Sequence, residues 1–368
     1  MTRRSPLVAA AVAAVLTLAA CGGGDDAAAD QPADRTDAAA DATPAPDLDL
    51  PAAEADLAGT TAVLGSVDLT PVTPGAGTGA HAPGLALEVT AVGYVPTIPV
   101  DAYEDITGDR IRVEPEEEPT EVRPADGHVF AVATYETRDP QWPPRGSAPR
   151  TTAQLRVQGS EVDRLFSTDD GARHTGTVVV SLPENHAPED AVVELETHGA
   201  FQTVSLLDGK RLRSDVEHAY PGPGEVTVES AERLETTFSH FINDREATVQ
   251  GQVADAYATP FLDLGYGRGD GWAAPGQQYL AVEVDWHVTE SITYLDTVVR
   301  AETPDGTAYP ALNDPSSLTD AFAREVVFQV PADTDQVTVV IESSYQNGPS
   351  SSSPVIEFDT IRAELSLD

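Results

Sequence analysis

Apolar and polar residues alternate along several short segments of this chain. In the clearest run, residues 280–288, every second position is apolar: Leu280, Val282, Val284, Trp286 and Val288. A period of two predicts a β-strand with one buried and one solvated face, and it places Trp286 in a core. Long runs with helical periodicity are nearly absent, so the pattern favours a β fold.

Turn signals separate these segments. Asp-Gly pairs, which are typical of hairpins and tight loops, occur at 126–127, 170–171, 208–209, 270–271 and 305–306. Two stretches leave the pattern open. Residues 315–323 fit one or two helical turns with Ser316 or Ser317 as the N-cap, whereas residues 231–241 fit either a helix or a strand.

An internal repeat relates the two halves of the chain. Four pairs of segments match in the same order, 139 to 150 residues apart: 126–134 with 275–284 (allowing a one-residue gap), 178–183 with 326–331, 191–196 with 338–343 and, upstream, 87–92 with 226–231. The common order indicates that the copies share a topology and differ in the loops between strands.

Two copies of about 140 residues, each with about seven short strands, predict an all-β protein of two tandem immunoglobulin-like antiparallel β-sandwiches. We predict domains at 59–213 and 224–368, joined by a stiff connection at 214–223. The term immunoglobulin-like refers to architecture only, because the chain has one cysteine and lacks the Cys…Trp…Cys pattern of antibody domains.

The N-terminus has the pattern of an export signal. Arg3 and Arg4 precede a mainly apolar stretch, Leu7 to Ala20, which as a helix would rise about 21 Å, less than the roughly 30 Å of a bilayer core. Residues 1–20 are therefore predicted to be a signal peptide. The arginine pair leaves twin-arginine export open beside the general secretory route, although Pro6 stands where the twin-arginine motif prefers a bulky apolar residue.

The residues Leu18-Ala19-Ala20-Cys21, followed by Gly22, resemble the lipobox of bacterial lipoproteins. In that family the signal peptide is cut before the cysteine, whose thiol carries a diacylglycerol. The resemblance implies that Cys21 anchors the mature protein to the outer face of the cell membrane. The alternative is an ordinary secretory signal with a chance cysteine. A lipidated Cys21 would leave no thiol for catalysis, because the chain has one cysteine.

Residues 21–58 form an acidic, alanine-rich and proline-rich segment. Between Gly22 and Leu57 there are ten acidic residues and one arginine, Arg35. Such a segment has too few bulky apolar side chains to offset its chain entropy, so it is predicted to be a disordered tether between the membrane and the sandwiches.

A second resemblance lies in the strands. A strand that opens Gly-x-x-Φ-Φ-Ala-Val, where Φ is a bulky apolar residue, follows an acidic loop and precedes a Val-Val-Φ-x-Φ-Pro strand. This pattern, over about 60–213 and 222–368, resembles the immunoglobulin-like family of mycobacterial secreted immunoprotective antigens and related Gram-positive lipoproteins. The resemblance implies a β-sandwich fold and no catalytic or binding residues.

Charge narrows the classes of ligand. The chain has 61 acidic and 21 basic residues and a formal net charge of −40. Nucleic acid and anionic membrane surfaces should be repelled, so neither is an expected ligand of the folded part. The acidic loop that contains Glu114, Glu116, Glu117, Glu118 and Glu121 leaves weak calcium association open, with a solvated charged loop as the alternative.

The glycine-rich segment Gly265–Gly271 contains the candidate binding loop, defined by Tyr266, Arg268, Asp270 and Trp272. Its glycines fit a loop between strands. Arg268-Gly269-Asp270 matches the tripeptide that adhesion receptors bind. The alternative is that these three residues occur together by chance. If the loop binds a protein or sugar, both aromatic side chains should be exposed as anchors; the alternative is that they fold back over the end of a sandwich.

Catalytic and metal-binding patterns are missing from the sequence. The histidines show no metal-binding or catalytic spacing and read as scattered surface residues: His81, His128, His174, His186, His198, His218, His240 and His287. The chain also lacks a Gly-x-Ser-x-Gly elbow and a phosphate-binding loop. We therefore predict no catalytic residues, no metal site and no cofactor.

These observations predict a membrane-anchored extracytoplasmic lipoprotein that acts as a non-catalytic binding module for a protein or cell-wall ligand. One alternative is a structural or accessory subunit of a cell-envelope complex. A second alternative is an extracellular hydrolase.

Overall fold

The computed structural model of the chain describes residues 50–65, 67–111, 119–139, 149–171, 173–220, 222, 224–239, 245–263, 271–289, 295–313, 325–348, 350 and 352–367. The predicted signal peptide, the lipobox-like segment with Cys21, most of the predicted tether, residues 112–118 of the acidic loop and the helical turn predicted at 315–323 lie outside the described residues.

The described part of the first half forms two large sheets and one two-stranded sheet. Its elements are β1 (Ala58–Thr61), β2 (Thr70–Pro71), β3 (Ala80–Ala82), β4 (Leu85–Val95), β5 (Ile98–Pro99), α1 (Val100–Thr107), β6 (Glu121–Val122), β7 (His128–Arg138), β8 (Thr151–Val157), β9 (Ser160–Ser167), β10 (Thr175–Pro183), β11 (Ala191–Thr197), β12 (Ala200–Ser205) and β13 (Arg211–Ser214). One sheet has the order β1-β10-β7-β4-β2, with β3 beside β4, and the other has the order β13-β12-β11-β8-β9.

The second half repeats this arrangement. Its strands are β14 (Val226–Ala231), β15 (Leu234–Ser239), β16 (Glu246–Thr259), β17 (Phe261–Leu262), β18 (Gly271–Trp272), β19 (Gln277–Val288), β20 (Leu295–Glu302), β21 (Ala308–Pro310), β22 (Glu325–Pro331), β23 (Gln336–Gln346), β24 (Val355–Glu357) and β25 (Ile361–Leu367). The sheets have the orders β15-β16-β19-β22 and β14-β25-β23-β20-β21, with β24 beside β23.

The prediction of an all-β protein built from antiparallel β-sandwiches is confirmed. In each half, apolar residues from both sheets meet in one core. The alternation in β8, where every second residue is buried, is the period expected of a strand with one face on a core. Residues 231–241, which the pattern left open, contain the end of β14 and all of β15. Trp286 is buried, 6% exposed, as its alternating strand predicted.

The two halves share the register of one strand pair. His128 pairs with Pro183 across β7 and β10, and Gln277 pairs with Pro331 across β19 and β22. The preceding glycines, at 127 and 276, have φ angles of 74° and 76°, a conformation that glycine adopts without steric cost. The first two segment matches are therefore confirmed, and β7 aligns with β19 without the gap that the sequence match included.

The other two segment matches need correction. Residues 87–92 lie in β4, which pairs with β7, whereas residues 226–231 lie in β14, which pairs with β25 in the opposite sheet. The counterpart of β4 is β16, which pairs with β19. The sequence match of 191–196 with 338–343 differs by one residue from the alignment in the structure. An error of one residue assigns every side chain to the wrong face of the strand.

The correct register of that third pair follows from equivalent ion pairs. Arg156 of β8 contacts Glu194 of β11 at 3.0 Å, and Arg300 of β20 contacts Glu342 of β23 at 2.9 Å. Glu194 lies directly opposite Gln154, two residues before Arg156. Glu342 lies directly opposite Val298, two residues before Arg300. Glu194 therefore corresponds to Glu342.

Equivalent connections cover the outer face of one sheet in each half. The connection from β4 to β7 contains α1 and places Ile98, Ala102 and Val122 over Phe130 and other residues of the sheet. The connection from β16 to β19 contains β17 and β18 and places Leu262 and Ala273 over Tyr279, Ala281 and Val327. We call these connections the first and the second cover.

The chain enters the first half beside the first cover. The backbone N–H of Ala53 donates to the carbonyl of Arg123 at 2.8 Å, and the N–H of Arg123 donates to the carbonyl of Pro51 at 3.0 Å. Ala53 and Leu57 are 5% and 3% exposed. The folded part thus already includes residues 50–58, which the sequence assigned to the tether. Within the described part of the chain, no helix is both long and apolar enough to span a membrane.

Candidate functional site

The connection between the halves packs against both of them. Val216 and Ala219 of the connection are 2% and 5% exposed. They form a small apolar cluster with Ala200 of the first half and Trp272 of the second. The halves and their connection belong to one compact unit. Part of the predicted linker 214–223 is thus a packed element of the junction.

Trp272 contacts the first half directly. It lies in β18 of the second cover and is half-buried. Its indole N–H donates to the backbone carbonyl of Thr197 at 3.1 Å. Its ring meets the ring of Phe261 edge-on, with the centroids 5.3 Å apart. A tryptophan buries its apolar rings while its N–H needs an acceptor, and Thr197 supplies that acceptor.

The second contact across the junction involves His198 and the glycine before Trp272. The ring of His198 meets Phe261 edge-on at 5.8 Å. Gly271 has a φ of 111°, and a Cβ atom there would lie 2.9 Å from Cδ2 of His198. A glycine is required at 271 both by its backbone conformation and by the approach of this ring.

His218 of the connection makes a third contact. Its Nε2 lies 2.9 Å from the carbonyl oxygen of Ala273 in the second cover. A carbonyl only accepts, so Nε2 carries a proton and donates. In the neutral ring, Nδ1 is then an acceptor.

Tyr220 attaches the end of the connection to the first half. Its hydroxyl donates to Oε1 of Gln202 at 2.5 Å and accepts from the backbone N–H of His81 at 2.7 Å. The amide of Gln202 donates to the carbonyl of His81 at 2.8 Å. The guanidinium carbon of Arg211 lies 3.5 Å from the centre of the Tyr220 ring, a cation–π contact.

Charge and burial shift several pKa values in this cluster. Hydrogen bonds from Arg211 lower the pKa of Glu217; the two side chains pair at 2.9 and 2.8 Å. Burial raises the pKa of Tyr220 and keeps the phenol neutral. Burial, and then the charge of Arg211, lower the pKa of His81, which favours a neutral ring. The cluster thus holds the connection in one fixed position on the first half.

A cleft of about 170 Å³ lies between the connection and the end of the second sandwich. Three of its buried lining residues are apolar, namely Ala219, Pro260 and Leu367. Half-buried Thr334 and exposed Asp335 lie at its more open part. His218 also lines the cleft.

The side chain of Gln278 lines the cleft without a hydrogen-bond partner. Gln278 of β19 is only 7% exposed and lines the cleft. Its side-chain amide has no hydrogen-bond partner among the described residues. The amide atoms are not fully buried, so a molecule in the cleft has access to them. Gln278 therefore offers one donor group and one acceptor to a bound molecule.

The candidate binding loop is described only at its end. Trp272 is half-buried at the junction, so it differs from the exposed anchor that the loop hypothesis requires. Tyr266, Arg268 and Asp270 lie outside the described residues, as do Cys21 and His240. His198 and His218, which read as scattered surface residues, contribute to the junction, and His81 belongs to the Tyr220 cluster.

Gln278 was not among the candidate residues predicted from the sequence. A signal was present in the repeat, because His128-Val129 of the first half aligns with Gln277-Gln278 of the second. The first half has an apolar residue, Val129, where the second has the amide Gln278. This difference indicates that the surroundings of the position differ between the two halves.

Metal binding has no support in the described part of the chain, where no group of three His, Cys, Asp or Glu side chains could hold an ion. Calcium association at 112–118 stays a prediction. No family model, curated protein or solved structure matches the chain.

Proposed function

We propose that this protein is a lipoprotein anchored through Cys21 on the extracytoplasmic face of the cell membrane, where it acts as a non-catalytic binding module for a cell-wall ligand. The anchor rests on the lipobox-like Leu18-Ala19-Ala20-Cys21. The tether before the folded part would let the sandwiches reach away from the membrane.

The observation that carries the binding role is the unpartnered amide of Gln278, a residue that is 7% exposed and lines an open cleft. A binding site in a rigid protein commonly combines apolar walls with a few polar groups that orient the ligand. This cleft has both, and the junction contacts of Trp272 and His218 hold its two sides in place.

The anchor is tested by Cys21→Ala in the full chain. The variant should leave the membrane fraction, since its lipid attachment site is gone, whereas Gly24→Ala should remain with the membranes. A Cys21→Ala protein that stays membrane-bound after a high-salt wash would contradict the anchor.

The binding role is tested with the full chain, extracted in detergent and mixed with purified cell-wall fragments. We expect the protein to sediment with the fragments and to release no soluble sugar or peptide from them. Hydrolysis of the fragments would instead identify an enzyme. A stoichiometric membrane-protein partner, without sedimentation, would identify an accessory subunit.

A further inference from the structure

We infer that the cleft beside the connection binds the acetamido group of a neutral N-acetylated sugar. This inference rests on the proposed function and specifies the ligand of the same site. It follows from the amide of Gln278, the size of the cleft, its apolar lining and its charge.

Gln278 supplies the polar contacts. Its side chain has two N–H donors and one carbonyl acceptor, and none of them has a partner among the described residues. A ligand amide has the complementary set, a carbonyl that accepts and an N–H that donates. A ligand with only an apolar group would cover the amide of Gln278 without offering it a hydrogen bond, which costs free energy.

The size of the cleft limits what enters it. At about 170 Å³ it is smaller than a pocket for a whole drug-sized ligand, which is roughly 300–1,000 Å³. It is close to a cavity of about 150 Å³ that accommodates benzene. One small group of a larger molecule therefore fits. The methyl of an acetamido group would contact the apolar residues Ala219, Pro260 and Leu367.

The charge of the cleft favours a neutral ligand with hydroxyl groups. Asp335 accepts hydrogen bonds but is exposed, so it cannot neutralise a cation buried beside Gln278. None of the described residues that line the cleft is Lys or Arg, and the chain has a net charge of −40, so an anion is disfavoured. Asp335, Thr334 and Nδ1 of His218 can accept from sugar hydroxyls, which a simple peptide amide lacks.

The first half of the chain indicates which residue to substitute for Gln278. Val129 occupies the position in β7 that Gln278 occupies in β19. Gln278→Val therefore places in the second half the residue that the same register tolerates in the first. Gln252→Val is the matched control, because Gln252 is half-buried on the neighbouring strand β16 and is not a lining residue of the cleft.

The full chain in detergent micelles is titrated with N-acetylglucosamine and its β-1,4-linked disaccharide, followed by saturation-transfer NMR and calorimetry. Glucose, glucosamine and N-acetylglycinamide serve as matched probes. We expect binding of the two acetylated sugars, with the strongest saturation on the acetyl methyl. Gln278→Val should weaken this binding about tenfold or more, as expected for loss of neutral hydrogen bonds, and Gln252→Val should not change it.

Several results would overturn the inference: equal binding of glucose, preference for glucosamine, binding of N-acetylglycinamide alone, an unchanged affinity in Gln278→Val, or occupation of the cleft by water only, with no sugar signal. Sedimentation with cell-wall fragments separates the two proposals. If Gln278→Val still sediments, the binding module survives and the acetamido site fails. If the wild-type chain neither sediments nor binds sugar, both fail.

Discussion

The indole N–H of Trp272 donates a hydrogen bond to the carbonyl of Thr197, 3.1 Å away across the junction of the two halves. Trp272 belongs to the second cover, and Thr197 ends β11 in the first half. With the bond from His218 to Ala273, this contact fixes the second cover to its neighbours. The halves are therefore connected by side-chain contacts as well as by the chain.

Replacement of Trp272 should weaken the junction. Trp272→Phe keeps an aromatic ring and removes the N–H donor, so we expect a loss of about 1 kcal/mol in the free energy of unfolding. Trp272→Ala also removes the packing on Phe261 and should cost about 2–3 kcal/mol, less than the roughly 3–5 kcal/mol of buried aromatic truncations because the ring is half-buried. Urea unfolding measures both. The control is Phe201→Leu, at a side chain that is 37% exposed; an equal loss there would contradict a specific role for Trp272.

Two glycines provide a test of the close approach at Gly271. Gly271→Ala and Gly276→Ala both place a side chain at a positive φ, which costs about 1 kcal/mol or more. Only at Gly271 would the new Cβ also meet His198, at 2.9 Å, whereas nothing lies within 4 Å at Gly276. We expect the larger drop in melting temperature for Gly271→Ala. His198→Ala should recover part of the Gly271→Ala loss and none of the Gly276→Ala loss; without that difference, the steric explanation is wrong.

The ion pair of Glu217 with Arg211 predicts a pH dependence. Arg211 lowers the pKa of Glu217 from its ordinary value of 4.5. The stabilisation is thus present above this ordinary value and is lost as pH falls through the lower pKa of the folded state. Because the Glu217 side chain is 63% exposed, screening limits the effect to less than about 1 kcal/mol. Glu217→Gln should be less stable than the wild type at pH 7, and the difference should shrink as pH falls below 4.5.

Unfolding curves at a series of pH values from 7 downward measure this difference. Glu225→Gln, at another exposed glutamate near the connection, provides the control and should show no such convergence. A deficit in Glu217→Gln that does not shrink as pH falls would show that the carboxylate charge is not the cause.

A fragment of residues 222–368 should fold alone. Its core cluster, which includes Phe328, Trp286 and Tyr345, belongs entirely to the second half. We expect a β-type circular dichroism spectrum and a cooperative melt, at a lower temperature than the full chain because the contacts to Thr197 and His218 are missing. A spectrum typical of disordered chain would contradict independent folding of this half.

Alternating hydrophobicity was sufficient to predict the β fold and the burial of Trp286, because strand period and core packing are local properties of sequence. The repeat located β7, β10, β19 and β22 because their apolar runs are distinctive. The strand upstream was misassigned, because the matched segments 87–92 and 226–231 are short and only long-range pairing distinguishes β4 from β14.

The candidate site could be predicted only in part. Trp272 stood out as an aromatic residue in a glycine-rich segment, but its acceptor, Thr197, is 75 residues away. Gln278 has no local motif, and its environment depends on where the connection and the C-terminal Leu367 come to lie. Such positions follow from tertiary packing, which a single sequence does not encode in any short pattern.

The bonds between Ala53 and Arg123 have a mechanical consequence. Any pull on the chain ahead of residue 50 reaches the folded part first at the backbone bonds of Pro51 and Ala53 with Arg123. Ala52 and Arg123 form a parallel bridge, so the load falls on the first cover before it reaches β1. The bonds to the first cover would thus bear tension along the tether before the sandwich cores and the cleft do.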